Sequence, residues 1–165
     1  DGLHRSVEVL PADDPRWWSG QRIESFVASL SPVQRERLDV LKSEKGTKYR
    51  TAYRRTRRGI PVWEMRPDDI SGCLRTARGG SSKQAVVKLS SGRIQIRWMT
   101  PLEYARLMGA ENYDLSKART NQALFGFGDA VAVPAVTWLA ENYLLPLLRG
   151  QLTTESARKG EIANG

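Results

Sequence analysis

The hairpin sequence Ala85-Val-Val-Lys-Leu-Ser-Ser-Gly-Arg-Ile-Gln-Ile-Arg-Trp98 decides the central part of the fold. Apolar residues dominate Ala85–Leu89 and alternate with polar ones along Arg93–Trp98, which is typical of strands. The segment between them, Ser90-Ser-Gly92, has the composition of a tight turn. The sequence therefore predicts a β-hairpin.

Upstream of this hairpin, the pattern predicts two helices and a further extended region. Apolar residues recur at helical spacing up to Leu30, and Ser31-Pro32 then supplies an N-cap followed by proline at the first helical position. This predicts a second helix over 33–42. Residues 46–65 carry an extended pattern, and Val7–Leu10 is predicted to be a short strand.

Downstream of the hairpin, helix signals replace strand signals. Thr100-Pro-Leu-Glu103 has the form of a capping box, and Gly109 suits the end of the helix that it starts. A further helix is predicted over 116–125, with a break at Gly126 and Gly128. A last helix is predicted to restart near Val133 and to run to about Leu145.

Composition favours a folded protein. Of the 165 residues, 40% are hydrophobic and five are Trp. No run of about eighteen apolar residues occurs, so no membrane span is expected. The single cysteine, Cys73, excludes an internal disulfide framework and fits a cytoplasmic location. Because His4 is the only histidine and nothing clusters with it, no metal site is expected.

Positive charge is concentrated in the first part of the chain. Residues 1–99 carry 20 Lys and Arg against 11 Asp and Glu, whereas residues 100–165 carry 6 against 7. A basic surface on the first part favours a polyanionic partner. Charge alone leaves open a basic protein that has no such partner.

The run Lys45–Gly59 contains seven cations, no acid and two interleaved tyrosines. This density is sufficient to bind phosphates through charge and counterion release, and arginine also suits bidentate contact with phosphate or guanine. A solvated surface is the alternative. The DNA-binding residues predicted here are Lys48, Arg50, Arg54, Arg55, Arg57 and Arg58.

A second candidate loop lies between Cys73 and Gln84. It combines two glycines, which allow close backbone approach, with cations and with neutral groups that can hydrogen-bond to base edges. A nucleotide-binding loop is disfavoured because the G-x-x-x-x-G-K-[ST] order is missing, and a plain hairpin turn remains open. The DNA-binding residues predicted here are Arg75, Thr76, Arg78, Gly79, Gly80, Ser81, Ser82, Lys83 and Gln84.

Two segments carry a resemblance to a known family. Arg97-Trp-Met-Thr-Pro-Leu-Glu-Tyr-Ala-Arg-Leu-Met-Gly109 and Gln122-Ala-Leu-Phe-Gly-Phe-Gly-Asp-Ala-Val-Ala-Val-Pro134 resemble the last two motifs of the DNA (cytosine-5)-methyltransferases. In that family, the first motif braces the target-recognition region and the second packs against the cofactor loop. Cys73-Leu74 stands where the family usually has Thr-Leu beside a recognition loop, and a thiol is the weaker hydrogen-bonding group.

The resemblance implies a DNA-recognition and cofactor-pocket-completing part of an S-adenosylmethionine-dependent DNA (cytosine-5-)-methyltransferase. Family members flip a cytosine, attack it with a cysteine and methylate it at C5. The Pro-Cys nucleophile loop, the Glu-Asn-Val acid segment and the Phe-x-Gly-x-Gly cofactor loop do not occur in this sequence. The chain alone is therefore predicted to be inactive, with no catalytic residue of its own.

The resemblance also implies partners and a setting. Asp129, Ala130 and Val131 would contribute to an S-adenosylmethionine pocket shared with a catalytic half, which is either a separate subunit of a split enzyme or a missing segment. The other partner would be double-stranded DNA in a prokaryotic restriction-modification setting. A stand-alone DNA-binding module with a methyltransferase-like recognition fold is the alternative.

The predicted fold class is α+β. A target-recognition domain of twisted strands and short helices is expected over 1–115. A helical return over 116–148 would complete a Rossmann-like methyltransferase domain, and 149–165 is expected to be a disordered tail.

Overall fold

The computed structural model describes residues 2–76 and 83–151, which form two compact units. The first unit ends at Ala130 and the second begins at Val131. The predicted tail from residue 152 onwards lies outside the described residues.

Within residues 2–76 and 83–130, the first unit contains four strands, four helices and a short 3-10 turn, Leu3–Arg5. The strands are β1 (Thr47–Arg57), β2 (Ile60–Met65), β3 (Gln84–Ser90) and β4 (Arg93–Trp98), and the helices are α1 (Gly20–Ser29), α2 (Pro32–Ser43), α3 (Pro101–Leu107) and α4 (Thr120–Asp129).

The strands form one antiparallel sheet in the order β2-β1-β3-β4. Two hairpins connect neighbouring strands, through Arg58-Gly59 and Ser91-Gly92. Both residues of each turn have a positive φ, between 50° and 79°. This conformation is the one that a two-residue type I′ turn needs, and it matches the twist of the flanking strands. The predicted hairpin and the predicted extended region are confirmed.

Each face of the sheet has its own apolar core. One face carries Ala52, Val87 and Ile96 and packs against α1 and α2 through Phe26 and Leu38. The opposite face packs against α3 and α4, and its core includes these buried residues: Tyr49, Val86, Tyr104, Leu124 and Phe127. The two predicted upstream helices are confirmed, and the Ser31 hydroxyl accepts a hydrogen bond from the Gln34 N–H as an N-cap.

Two local predictions are wrong. Val7–Leu10 is not a strand, because the Glu8 N–H donates to the Glu103 carboxylate at 2.8 Å instead of to a neighbouring strand. α4 begins at Thr120 and continues through Gly126 and Gly128, where the sequence predicts a break. Burial of Ala123, Leu124 and Phe127 stabilises this helix despite the low helix propensity of its glycines.

In the described part of the second unit, residues 131–151, the chain is helical from Val133 to Leu148. This stretch contains α5 (Val133–Leu139), a π-helical turn (Ala140–Leu144) and α6 (Leu145–Leu148). None of the residues in these elements is buried. Large apolar side chains are exposed instead, including Trp138 at 64% and Leu148 at 82%.

The apolar stretch Thr120–Leu148 is long and apolar enough to cross a membrane, by length and composition alone. A core helix of a soluble protein meets the same criteria, so the expectation that the chain does not span a membrane stays a prediction.

The architecture is an α+β fold, as predicted. The predicted boundary near residue 116 also stays a prediction. It separates the expected recognition domain from the helices expected to complete a second, catalytic domain. Within the first unit, α4 packs against α3 and contributes three side chains to the core.

Candidate nucleic-acid interface

Four of the predicted arginines lie on the two-stranded ribbon formed by the hairpin of β1 and β2, namely Arg54, Arg55, Arg57 and Arg58. β1 pairs with β3 only as far as Tyr53, opposite Gln84, but continues to pair with β2 up to Arg57, opposite Ile60. All residues from 54 to 61 are exposed. The β1–β2 hairpin is therefore open to solvent beyond the edge of the sheet, with four arginines on eight residues.

One acid neutralises part of this ribbon. The Glu64 carboxylate accepts hydrogen bonds from the Tyr53 hydroxyl at 2.7 Å, from Arg55 at 3.4 Å and from the Arg57 Nε at 2.8 Å. Its side chain is only 14% exposed. Burial raises the pKa of Glu64, but the hydrogen bonds from Tyr53 and Arg57 outweigh burial and lower it overall.

The other cations of the run Lys45–Gly59 differ in whether they have a partner among the described residues. Lys48 pairs with Glu44 at 3.0 Å, and the Arg50 guanidinium donates to the carbonyl oxygens of Pro67 and Tyr49. Arg54 and Arg58 make no hydrogen bond or ion pair with any residue that the structure describes. These two arginines are the groups best placed to bind an external anion.

The second candidate loop is only partly described. Arg78, Gly79, Gly80, Ser81 and Ser82 lie outside the described residues, which resume at Lys83. Gln84 is 2% exposed, and its amide donates to the Cys73 carbonyl at 3.3 Å. Gln84 thus connects the two ends of the loop and is not accessible to a nucleotide base. This conformation therefore does not support its predicted role in reading bases.

The preceding arm of the loop borders a pocket of about 250 Å³. Arg55, Arg66 and Arg75 line this pocket together with Cys73 and Tyr53. The Arg66 guanidinium is already paired with Asp68 at 2.7 Å, whereas no partner is described for Arg75. The pocket is therefore cationic, and Arg75, which lines it, lies two positions before the undescribed residues 77–82 in the sequence.

Sequence reasoning missed the contact that holds this arm in place. A Cβ placed on Gly128 would lie 2.5 Å from the Thr76 backbone nitrogen and 2.6 Å from the Arg75 carbonyl carbon. Only glycine allows α4 to approach the backbone of Arg75 and Thr76 this closely. The glycine can be identified from the sequence, but the sequence does not indicate that it contacts Thr76, 52 positions earlier.

The segment that resembles the bracing motif forms a buried ion pair. Arg97 and Glu103 are both fully buried, and their side chains are joined by two hydrogen bonds of 2.8 and 2.5 Å. Glu103 also accepts from the Thr100 N–H, and this bond together with the Thr100 hydroxyl forms the predicted capping box. Arg97 in turn donates to the Glu8 carbonyl, which fixes the N-terminal segment against the sheet.

The three residues predicted to contact a cofactor are not buried. Asp129 ends α4 and Ala130 follows it in the first unit, while Val131 belongs to the second unit. Phe127, on the same helix as Asp129, is buried in the core and contacts Tyr113 edge-to-face. Its ring therefore does not add to the accessible surface beside the predicted cofactor residues.

Within residues 2–76 and 83–151, no group of three or more His, Cys, Asp or Glu side chains could hold a metal ion. Comparison of the chain with family models, with curated proteins and with solved structures finds no match.

Proposed function

We propose that this chain binds double-stranded DNA as the recognition part of a DNA (cytosine-5)-methyltransferase whose catalytic Cys and Glu are supplied by another domain or subunit. The β1–β2 hairpin would contact the DNA backbone, and the loop between β2 and β3 would read bases. The accessible residues Asp129, Ala130 and Val131 would complete a pocket for S-adenosylmethionine on the catalytic partner.

The exposed arginine ribbon is the observation that carries the DNA-binding proposal. A two-stranded ribbon fits the major groove of B-DNA, and arginine binds both phosphates and guanine. Glu64 holds Arg55 and Arg57 in one arrangement, so less side-chain entropy is lost when they meet a ligand. Arg54 and Arg58 provide charges without a described internal partner.

The second unit supports the proposal of a catalytic partner. Its helices expose Trp138, Leu139, Leu144 and Leu148 and bury none of their own residues. Exposed apolar patches of this kind mark interaction surfaces. A catalytic domain that covers these helices would explain why they are apolar on so much of their surface.

A stand-alone DNA-binding module is the second candidate. The first unit favours it, because that unit contains both apolar cores and the arginine ribbon. Such a module has no use for an exposed apolar second unit, so the behaviour of that unit separates the two candidates.

The first test removes the unpartnered arginines of the ribbon. Arg54→Gln with Arg58→Gln is expected to weaken binding to all duplex sequences alike. The slope of log affinity against log salt should flatten by about 0.9 for each phosphate that the variant no longer neutralises. Fluorescence anisotropy with a labelled duplex, repeated across a salt series, measures both quantities.

The matched control for this test removes two exposed cations that lie outside the run Lys45–Gly59, through Arg37→Gln with Arg93→Gln. This pair changes the net charge equally but should leave the salt slope within error of the unsubstituted protein. Equal slopes for both double variants would show that the ribbon is only a solvated surface, and would contradict the DNA-binding proposal.

The second test concerns the exposed apolar helices. We expect the lone chain to self-associate at micromolar concentration, and we expect Trp138→Lys with Leu148→Lys to weaken association about tenfold, which corresponds to about 1.4 kcal/mol. Val9→Lys, which alters a side chain of the first unit that is 79% exposed, is the control. Sedimentation velocity over a concentration series provides the measurement, and a monomeric unsubstituted chain would favour the stand-alone module.

A further inference from the structure

An aromatic cluster lies on the sheet face that packs against α1. The rings of Trp18, Trp63 and Trp98 have centroids 5.3–5.6 Å apart, and Phe26 packs against two of the three tryptophans. Trp18 and Phe26 are buried, while Trp63 and Trp98 are partly exposed. The cluster is therefore part of the core, but one edge of it reaches the surface.

Two cations from different elements contact this cluster. The Arg22 guanidinium carbon, from α1, lies 3.9 Å from the Trp18 ring centroid and 5.3 Å from that of Trp98. The Lys83 ammonium, just before β3, lies 5.1 Å from the Trp98 centroid. Because both distances end on the same ring, the two charges are at most about 10 Å apart.

No acid compensates these two charges within the part of the chain that the structure describes. No ion pair or hydrogen bond joins either side chain to a described residue, and the first turn of α1 contains no acidic residue. Burial lowers the pKa of Arg22, and burial together with the charge of Arg22 lowers the pKa of Lys83. Both side chains therefore keep their charge in a less favourable environment than water.

We infer that Arg22 and Lys83, which both contact the Trp98 ring, form a binding site for the phosphodiester backbone of DNA. This inference rests on the proposed function and deepens it, since it adds Arg22 and Trp98 to the interface. Lys83 is one of the residues predicted to contact DNA, and Arg22 and Trp98 would extend that contact to α1 and β4. A phosphate would relieve the repulsion between the two cations, both of which contact the Trp98 ring.

Ordinary packing is the competing explanation for this cluster. Arg22 and Lys83 would then serve only to cover aromatic rings, as cations commonly do. The two explanations predict opposite effects of substitution. A packing role makes the side chains necessary for stability and irrelevant to DNA, whereas a phosphate site makes them unnecessary for stability and necessary for affinity.

The test compares Arg22→Gln and Lys83→Gln with Arg37→Gln, which removes an exposed cation from α2. For the first two variants we expect a thermal midpoint no lower than that of the unsubstituted protein, a lower affinity for duplex DNA and a salt slope flattened by about 0.9 each. Arg37→Gln should change none of these. Arg22→Lys should keep the salt slope, because the charge remains.

A lower thermal midpoint with unchanged affinity in both glutamine variants would overturn the inference in favour of packing. Failure of the proposed function has a different signature, namely no duplex binding by the unsubstituted protein. In that case, inorganic phosphate replaces DNA as the probe, at constant ionic strength set with chloride. Thermal stabilisation by phosphate that is absent from both glutamine variants would keep an anion site here, and stabilisation equal in all variants would exclude it.

Discussion

Replacing Glu103 by alanine is expected to lower the free energy of unfolding by about 3–5 kcal/mol, because the change leaves the Arg97 guanidinium buried without its counter-charge. Both side chains have no exposed surface. The same substitution removes the acceptor for the Glu8 and Thr100 N–H groups, so two further donors are left without their partner. This destabilisation is large compared with the total stability of an ordinary domain, which is about 5–15 kcal/mol.

Chemical denaturation followed by tryptophan fluorescence measures this destabilisation. Glu36→Ala, which removes an exposed acid from α2, is the control and should change the free energy of unfolding by less than about 0.5 kcal/mol. The double variant Arg97→Met with Glu103→Leu should recover much of the stability, since it removes both charges together. A single variant as stable as the control would show that the pair does not brace the sheet.

The parts of the fold that could be predicted are those with a local physical signal. Ser90-Ser-Gly92 predicts a hairpin because two positive φ angles are needed there and glycine supplies one of them at little cost. Thr100 and Glu103 predict a helix start because a capping box lies within four residues. Such signals do not depend on how the rest of the chain is placed.

The parts that could not be predicted depend on register or on distant contacts. The run Lys45–Gly59 contains no acid, yet Glu64 lies opposite Tyr53 in the hairpin and binds two of its arginines. A shift of one residue in register would have placed Glu64 on the other face. Gln84 is polar and follows a glycine-rich loop, which favours an accessible side chain, but it is buried at the start of β3.

The two glycines of α4, Gly126 and Gly128, lie in the same helix but have different surroundings. A Cβ on Gly128 would lie within 2.8 Å of three backbone atoms of Arg75 and Thr76, whereas a Cβ on Gly126 would meet nothing within 4 Å. Gly126→Ala should therefore stabilise the protein by about 0.5–1 kcal/mol through helix propensity. Gly128→Ala should destabilise it by about 1–3 kcal/mol, since backbone atoms cannot rotate away as a flexible side chain does.

The same pair of variants connects α4 to the proposed interface. To accommodate alanine at position 128, the arm that carries Arg75 and Thr76 must move away from the helix, and the loop that continues from it should be misaligned on DNA. We expect Gly128→Ala to reduce discrimination between cognate and random duplexes at a temperature where it is still folded, and Gly126→Ala to leave discrimination unchanged. Denaturation curves and binding to both duplexes, measured side by side, test this. If Gly128→Ala proves as stable and as selective as Gly126→Ala, then α4 neither contacts the arm closely in solution nor positions the loop.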